Sequence, residues 1–466
     1  MRKSKGQKNE ASQQLKLFSW RAGELTETSS GGTGRRPLDR EELLSVLEKQ
    51  RTLTENLSER IVDHGNLMRA YKQVAKNGGS SGIDEMEVKE LRQWLGGNID
   101  KLREMLLTEQ YEVSAVRKVE IEKPEGGKRM LGIPTVKDRL IQQAIHQEMS
   151  RYYEPLFSES SYGFRPGRSA HDAIKQAVEY IKEGKEWVVD IDLEKFFDKI
   201  NHDRLMQRLS KGIGDKKLLR LIRAYLKSGI MDHGITEQRT AGTPQGGPLL
   251  SNIVLDELDK ELESRNHSFC RYADDCNIYV KSKKAGERVM ASMIDFIENK
   301  LKLKVNREKS GVKQCSEVKF LGYTLMSDGG IRVADKSITR LKNRIREITR
   351  RNRGIRFEGI IRELNATIIG WANYYKLANT WLSTFRSIDE WIRRKLRCYR
   401  LKQCGRRYTI FKFLYSLAVP KQKCWNAIMY TQGWWHLSCK QAINQAMNLA
   451  WFHLQGLQSL SARLSV

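Results

Sequence analysis

The stretch Phe269-Cys270-Arg271-Tyr272-Ala273-Asp274-Asp275-Cys276-Asn277-Ile278-Tyr279-Val280 constrains the chain more than any other. Strand-forming residues flank a break at two adjacent carboxylates, which predicts a β-hairpin with the aspartates at or near its turn. Each of two neighbouring carboxylates raises the cost of ionising the other. A bare Asp-Asp pair is most often a solvated turn, but Tyr-Ala-Asp-Asp enclosed in an apolar hairpin is far more specific. A divalent cation removes the repulsion, and Mg²⁺ takes hard carboxylate oxygens together with the oxygens of a substrate phosphate.

A second acidic element lies upstream. Trp187-Val188-Val189-Asp190-Ile191-Asp192-Leu193-Glu194-Lys195-Phe196-Phe197-Asp198 reads as a buried strand ending in aspartates. Alone, such an end is usually a capping or turn feature. Two carboxylate elements on separate strands, however, are what two-metal phosphoryl transfer brings to one point. The net charge of +27 and pI near 9.7 over 466 residues point to a polyanionic partner. No apolar run is long enough to span a bilayer, which favours nucleic acid over a membrane surface. The seven cysteines include no Cys-x-x-Cys pair, so they read as reduced, structural thiols of a cytoplasmic protein. His436 and Cys439, three apart, read as packing rather than as a zinc site.

The rest of the chain falls into four expected segments. Residues 1–57 are polar, with a Ser/Gly/Thr-rich linker at 26–34. Residues 58–335 carry the globular pattern: helical spacing at Leu67, Ala70 and Val74, a glycine-rich loop Asn77–Asp84, and alternating strands at 116–121 and 130–134. Lys128 and Arg129 sit on the turn between those strands, suited to a triphosphate. Ser161–His171 places Arg165 and Arg168 beside a Pro-Gly turn among aromatics, a candidate nucleic-acid contact. Further strands are expected at 301–306 and 319–325. Residues 336–408 show three amphipathic helices with basic faces, including Arg393, Arg394 and Arg397. Residues 409–466 read as a small helical extension.

With these pieces in order, the chain resembles a group II intron-encoded reverse transcriptase/maturase, of the short bacterial class without an HNH endonuclease. The resemblance runs from about residue 58 to the C-terminus. It rests jointly on Leu131–Thr135, Ser161–Arg168, Asp190–Asp198, Gly242–Gly247, Tyr272–Asp275, Phe320–Tyr323 and Gly370–Tyr375. It implies an α/β (α+β) right-hand polymerase, fingers and palm with the YADD hairpin, followed by an α-helical thumb or maturase bundle. The implied activity is RNA-directed DNA synthesis coupled to intron splicing and retrohoming. Its partners would be intron RNA, an RNA template, a DNA primer or target, and dNTPs. Asp192, Asp274, Asp275 and the Leu193 carbonyl would hold two Mg²⁺ ions, with Asp190 and Asp198 as neighbours. Lys128 and Arg129 would grip the triphosphate, Phe197 would crowd the sugar 2′ position, and Gln245 and Gly246 would pack on template and nucleotide. Lys309 is the candidate general acid. Asn77–Asp84 would touch the template. The extension at 409–466 would be a candidate DNA-binding element.

One departure stands out. Family members usually read Gln-Gly-Gly-x-Leu-Ser-Pro-Leu-Leu, whereas this chain reads Gln245-Gly246-Gly247-Pro248-Leu249-Leu250-Ser251. Three residues at the helix start are missing. The alternative expectation is therefore an RNA-binding splicing maturase with weakened or lost polymerase activity. An RNA-dependent RNA polymerase shares the palm, but Phe197 argues against it.

Overall fold

A computed structural model describes residue 54 and residues 56–122, 128–232, 235–237, 247–380, 382–429 and 433–464. The polar segment before residue 54, Gln245 and Gly246 lie outside them. The chain divides into two compact units, one formed by residues 1–156 and 202–240, the other by 157–201 and 241–466.

In the first unit, Asp63 caps the helix His64–Asn77 by accepting from the Asn66 amide, and Leu67, Ala70 and Val74 are buried at helical spacing. The strands Val116–Glu122 and Lys128–Ile133 pair antiparallel from Arg117↔Ile133 to Glu122↔Lys128. The edge is extended by Ile230–Asp232, parallel to Val116–Arg117, and then by Ile235–Glu237. Thr135 caps the helix Val136–Tyr153, which packs against His64–Asn77. The glycine-rich loop is fastened rather than free. Arg139 donates to the carbonyls of Gly78 and Ser80. A Cβ on Gly82 would meet the Thr135 backbone at 2.6 Å, so only glycine fits this close approach.

The second unit is built on a four-stranded antiparallel sheet, ordered Ser268–Tyr272, Asp275–Val280, Trp187–Ile191, Gly311–Gln314. Directly opposed residues point to the same face. The pairs Val188↔Tyr279, Asp190↔Asn277 and Cys270↔Asn277 therefore share one face, whose lower half is covered by helix Ala170–Lys182. Val189, Ile278, Val280 and Phe269 point the other way, toward helix Lys283–Asp295. There Gly286 approaches so closely that a Cβ would lie 2.6 Å from Val312.

Two strand expectations change. Residues 301–306 form an extended segment with one bridge, Leu193↔Val305, because a π-turn Phe296–Leu301 occupies its start. The edge strand is instead Gly311–Gln314, too short and polar for its alternation to register. The strand expected over 319–325 is folded in two, Lys319–Phe320 against Tyr323–Leu325, because Leu321 and Gly322 take positive φ.

Helices Asp335–Ile348, Phe357–Tyr374 and Leu382–Cys404 bury the stripes their spacing predicts. Their core is continuous with that of the four-stranded sheet: Ile174, Ala177 and Val178 join Phe320, Tyr323, Ile345, Leu364 and Ile392. Six short helices follow among the described residues, from Arg407–Ser416 to Leu460–Leu464. Asp389, buried on the third long helix, caps the last of them, accepting from the Leu460 and Ser461 amides. No helix among the described residues is long and apolar enough to cross a membrane.

Candidate active site

The sheet register brings the acidic elements together. Tyr272 pairs with Asp275, so Ala273 and Asp274 form a two-residue turn, with Ala273 at φ 59°. Trp187–Ile191 pairs with the next strand up to Ile191↔Cys276. The pairing ends there; Asp192 follows directly, and its charge is felt by both Asp190 and Asp275. Three carboxylates from two strands thus converge at one end of the sheet, beside the turn that carries Asp274.

Their electrostatics agree with that placement. Burial, then the Asp275 charge, pushes the Asp190 carboxyl up to about 6, with Lys313 opposing. Asp275 keeps a solvent-open side, yet desolvation by its surroundings and the charges of Asp274 and Asp192 push its carboxyl up to about 6 as well. Lys309 Nζ lies 3.9 Å from Asp192 Oδ2. The site therefore holds crowded, hard oxygen donors whose repulsion the nearby lysines only partly offset, which suits Mg²⁺ in kind. Among the described residues no three acidic, histidine or cysteine side chains are gathered as a ready cage. Mg²⁺ commonly binds one or two carboxylates and completes its shell with waters and substrate phosphates.

The Asp192 backbone is held from the side. The Asn306 amide donates to its carbonyl at 2.9 Å, and its own amide donates to the Ser310 hydroxyl at 2.9 Å. The Glu194 amide donates to the Lys304 carbonyl. None of these bonds uses the Leu193 carbonyl. Phe196 and Phe197 sit edge to face at 5.2 Å on a one-turn helix. Phe196 is buried in the core and Phe197 is half-exposed.

The hairpin is braced from the opposite face by a network that sequence reasoning missed. Arg271 is fully buried. It forms a forked pair with Asp259 at 2.6 and 2.5 Å, and donates to Asn252 Oδ1, Ser161 Oγ and the Ala273 carbonyl in the turn. Burial opposes its charge, but the Asp259 carboxylate outweighs that and holds it protonated. Asn252 also donates to the Gly163 carbonyl. A Cβ on Gly163 would lie 2.3 Å from the Ala273 nitrogen. Two signals could have revealed this brace: an arginine inside the apolar run 269–280, and Asp259 within the buried stripe of helix Pro248–Ser264. Buried charges occur in pairs.

The arginines of the segment 161–168, expected to meet nucleic acid, make bonds within the chain. Arg165 donates to the Ser158 and Ser161 carbonyls and lies over the Phe157 ring. Arg168 bonds the backbone and the carboxylate of Glu159. Both guanidiniums fasten their own loop, which in turn supports the hairpin. The basic face of helix Leu382–Cys404 is likewise covered. Arg394 lies 3.7 Å over Trp435, and Arg397 donates twice to the Met447 carbonyl. Burial and the neighbouring Arg393 lower the Arg397 guanidinium to about 10. Arg393 is half-exposed. In the first unit, Lys128 is exposed and pairs with Glu120 at 2.6 Å, while the Arg129 backbone pairs with Ile121.

Helix Pro248–Ser264 bears on the shortened loop. Pro248 occupies its first turn, and both the amide and the hydroxyl of Ser251 donate to the Gly247 carbonyl. Proline is well suited to that position because the first amides have no intrahelical acceptor. The chain's own Gly-Pro pair thus starts the helix that carries Asn252 and Asp259.

An antiparallel palm sheet that converges aspartates beside a tight hairpin is the arrangement of a nucleotidyl-transfer polymerase. The family described as reverse transcriptase (RNA-dependent DNA polymerase) matches residues 121–325, and the group II intron maturase-specific domain matches 338–414. The chain belongs to the group II intron-encoded reverse transcriptase/maturase family. It is 32% identical over 294 residues to Protein YkfC of Escherichia coli K12, covering 54% of this chain and 77% of that protein. It is 31% identical over 296 residues to the group II intron-encoded protein LtrA of Lactococcus lactis subsp. cremoris, covering 49% of each. A solved partial Cas6-RT-Cas1–Cas2 complex aligns at 26% identity with TM-score 0.34, over 53% of this chain and 43% of that one.

Proposed function

We propose that the chain is an RNA-directed DNA polymerase that also binds its intron RNA and assists splicing and retrohoming in the bacterial cytoplasm. The observation that carries this reading is the convergence of Asp190, Asp192 and Asp275 beside Asp274, with Lys309 within 4 Å of Asp192. Asp192, Asp274, Asp275 and the Leu193 carbonyl would hold two Mg²⁺ ions. Such ions, when bound, stabilise the attacking and leaving oxygens of an in-line displacement. Lys309 would deliver a proton to the departing pyrophosphate. Phe197, beside the acidic strand, would stand where the sugar 2′ position of an incoming dNTP lies. Lys128 and Arg129 remain candidates for the triphosphate, since an exposed pair such as Lys128–Glu120 is weak and easily exchanged. The division at 57, 335 and 408 remains part of this proposal, as does the DNA-binding extension.

Primer extension on an RNA template, with dNTPs and then NTPs, tests the reading. Asp274→Ala should abolish incorporation and leave RNA affinity nearly intact, because affinity comes from distributed basic residues. Extension by that variant at the parental rate would refute the metal assignment. The second reading, a maturase with a weakened polymerase, is favoured by the three missing residues. Pro248 at the start of its helix, and the anchoring of that helix to Arg271, support the active enzyme instead. Inserting Leu-Ser-Pro after Pro248 separates the two. A clear gain in extension rate at unchanged RNA affinity supports the weakened polymerase, and no gain supports the first reading.

A further inference from the structure

The aromatic residues of the C-terminal helices include a group that no part of the polymerase reading uses. On helix Arg407–Ser416, Tyr408, Phe411 and Tyr415 follow one another at three and four residues, so they lie on one face. Their rings are nearly parallel. Tyr408 and Phe411 are 6.3 Å apart with 9° between planes, and Phe411 and Tyr415 are 5.9 Å apart with 7°. Trp425, from helix Lys421–Met429, stacks on Phe411 at 4.6 Å and 23°. Phe411 is the half-buried centre of this array. Tyr408 and Tyr415 are 57% and 59% exposed, and Trp425 is 36% exposed. Aromatic side chains in such numbers are normally covered, and rings that serve only as core do not leave more than half their area in water.

The surrounding charge is of one sign. Arg406, Arg407, Lys412, Lys421 and Lys423, all exposed, lie on or next to these two helices, and Lys412 Nζ lies 4.8 Å over the Tyr408 ring. None of the five has an ion-pair partner among the described residues, and the chain contains no Asp or Glu after Glu390. The basic face of the preceding long helix differs, since Arg394 and Arg397 are engaged by Trp435 and Met447. Parallel π-faces rimmed by cations are the two components of single-strand recognition: bases stack on the rings and phosphates meet the cations. A paired strand keeps its bases stacked on one another and offers only its phosphates and groove edges. An acidic protein partner would satisfy the cations but gives no reason for coplanar rings.

We propose that Tyr408, Phe411, Tyr415 and Trp425 form a stacking platform for unpaired nucleotides of a single-stranded nucleic acid. The platform rests on the reading under Proposed function only for why such a strand is at hand. It lies partly within the maturase-specific match, which ends at residue 414, and partly beyond it.

The test uses the full-length protein and labelled oligonucleotides of about ten nucleotides, within the span one stacking surface engages. Oligouridine, oligothymidine and a blunt RNA duplex are compared by fluorescence anisotropy. Tyr408→Ala with Tyr415→Ala should weaken single-strand binding tenfold or more and leave duplex binding and the salt slope unchanged. Tyr408→Phe with Tyr415→Phe should retain parental affinity, since the π-faces remain. Photocrosslinking with 5-iodouridine oligonucleotides should label residues 407–429 in the parent and not in the alanine variant. Preference for the uridine or the thymidine strand identifies the source as RNA or DNA, and either supports the platform. Equal affinity of parent and alanine variant, equal loss for single strand and duplex, or absence of crosslinks in 407–429 overturns it. So does a parental dimer that the alanine variant dissolves while single-strand binding is unchanged, which would assign the face to a second copy. Primer extension is scored separately on saturating template. A platform that fails while extension proceeds, or the reverse, tells the two readings apart.

Discussion

Arg271 shows how much a single side chain can carry at this site. It is an ion enclosed on the back of the hairpin, satisfied by Asp259, Asn252, Ser161 and the Ala273 carbonyl. Removing one partner of a buried pair leaves the other charge uncompensated, which typically costs about 3–5 kcal/mol. Arg271→Met should therefore lower the denaturation midpoint markedly, and adding Asp259→Leu should recover part of the loss. If the single variant unfolds at the parental midpoint, the pair does not brace the hairpin. Lysine cannot replace it, because one ammonium cannot reproduce the fork. Phe197 is the other informative residue. Phe196 beside it is buried, so the two aromatics divide into an anchor and an open ring. Phe197→Val should admit ribonucleotides while leaving dNTP incorporation in place. Unaltered dNTP/NTP discrimination would place the gate elsewhere.

At the scale of elements, the same sequence pattern has two different fates. The basic, amphipathic stripe of Leu382–Cys404 resembles a nucleic-acid face, but the helices that follow fold back over it. Arg397 is held by the Met447 carbonyl and lies 5.5 Å from the Phe452 ring. A hydrogen bond from a charged donor contributes about 1.5–3 kcal/mol. Arg397→Ala should thus loosen the docking of Gln441–Ala446 and Leu449–Leu454, read as faster amide exchange in those helices, with a smaller effect on Phe357–Tyr374. Uniform exchange across the bundle would deny Arg397 that local role. Helix Asp335–Ile348 behaves otherwise, since Arg340 on it and Arg350 and Arg351 just after it are exposed.

For the whole molecule, a net charge of +27 makes binding to a polyanion strongly dependent on salt. Only cations that are open in the folded chain can release counterions. Replacing Arg340, Arg350 and Arg351 by Gln should flatten the plot of log K against log salt by about 0.7–0.9 for each phosphate no longer neutralised. Arg397→Gln should leave the slope alone, because that guanidinium is already committed to Met447. A reversal of these two results would mean that the C-terminal helices leave their seat when RNA binds.

The sequence by itself determined the local elements: two acid-ended strands, the hairpin that carries one pair of aspartates, and the three helical stripes. These are local patterns, in which alternation or a spacing of three and four states which face is apolar. Tertiary structure alone decided which cations stay open and which hold the fold together. Arg165, Arg168, Arg394 and Arg397 look alike in sequence to Arg340 and Arg350, and differ only in what lies across from them. The edge strand Gly311–Gln314 was equally out of reach, whereas the Arg271–Asp259 brace left two signals, an arginine in an apolar run and an aspartate in a buried helical stripe. That strand depends on Trp187–Asp190, more than a hundred residues away, and pairing across that distance leaves no period to read.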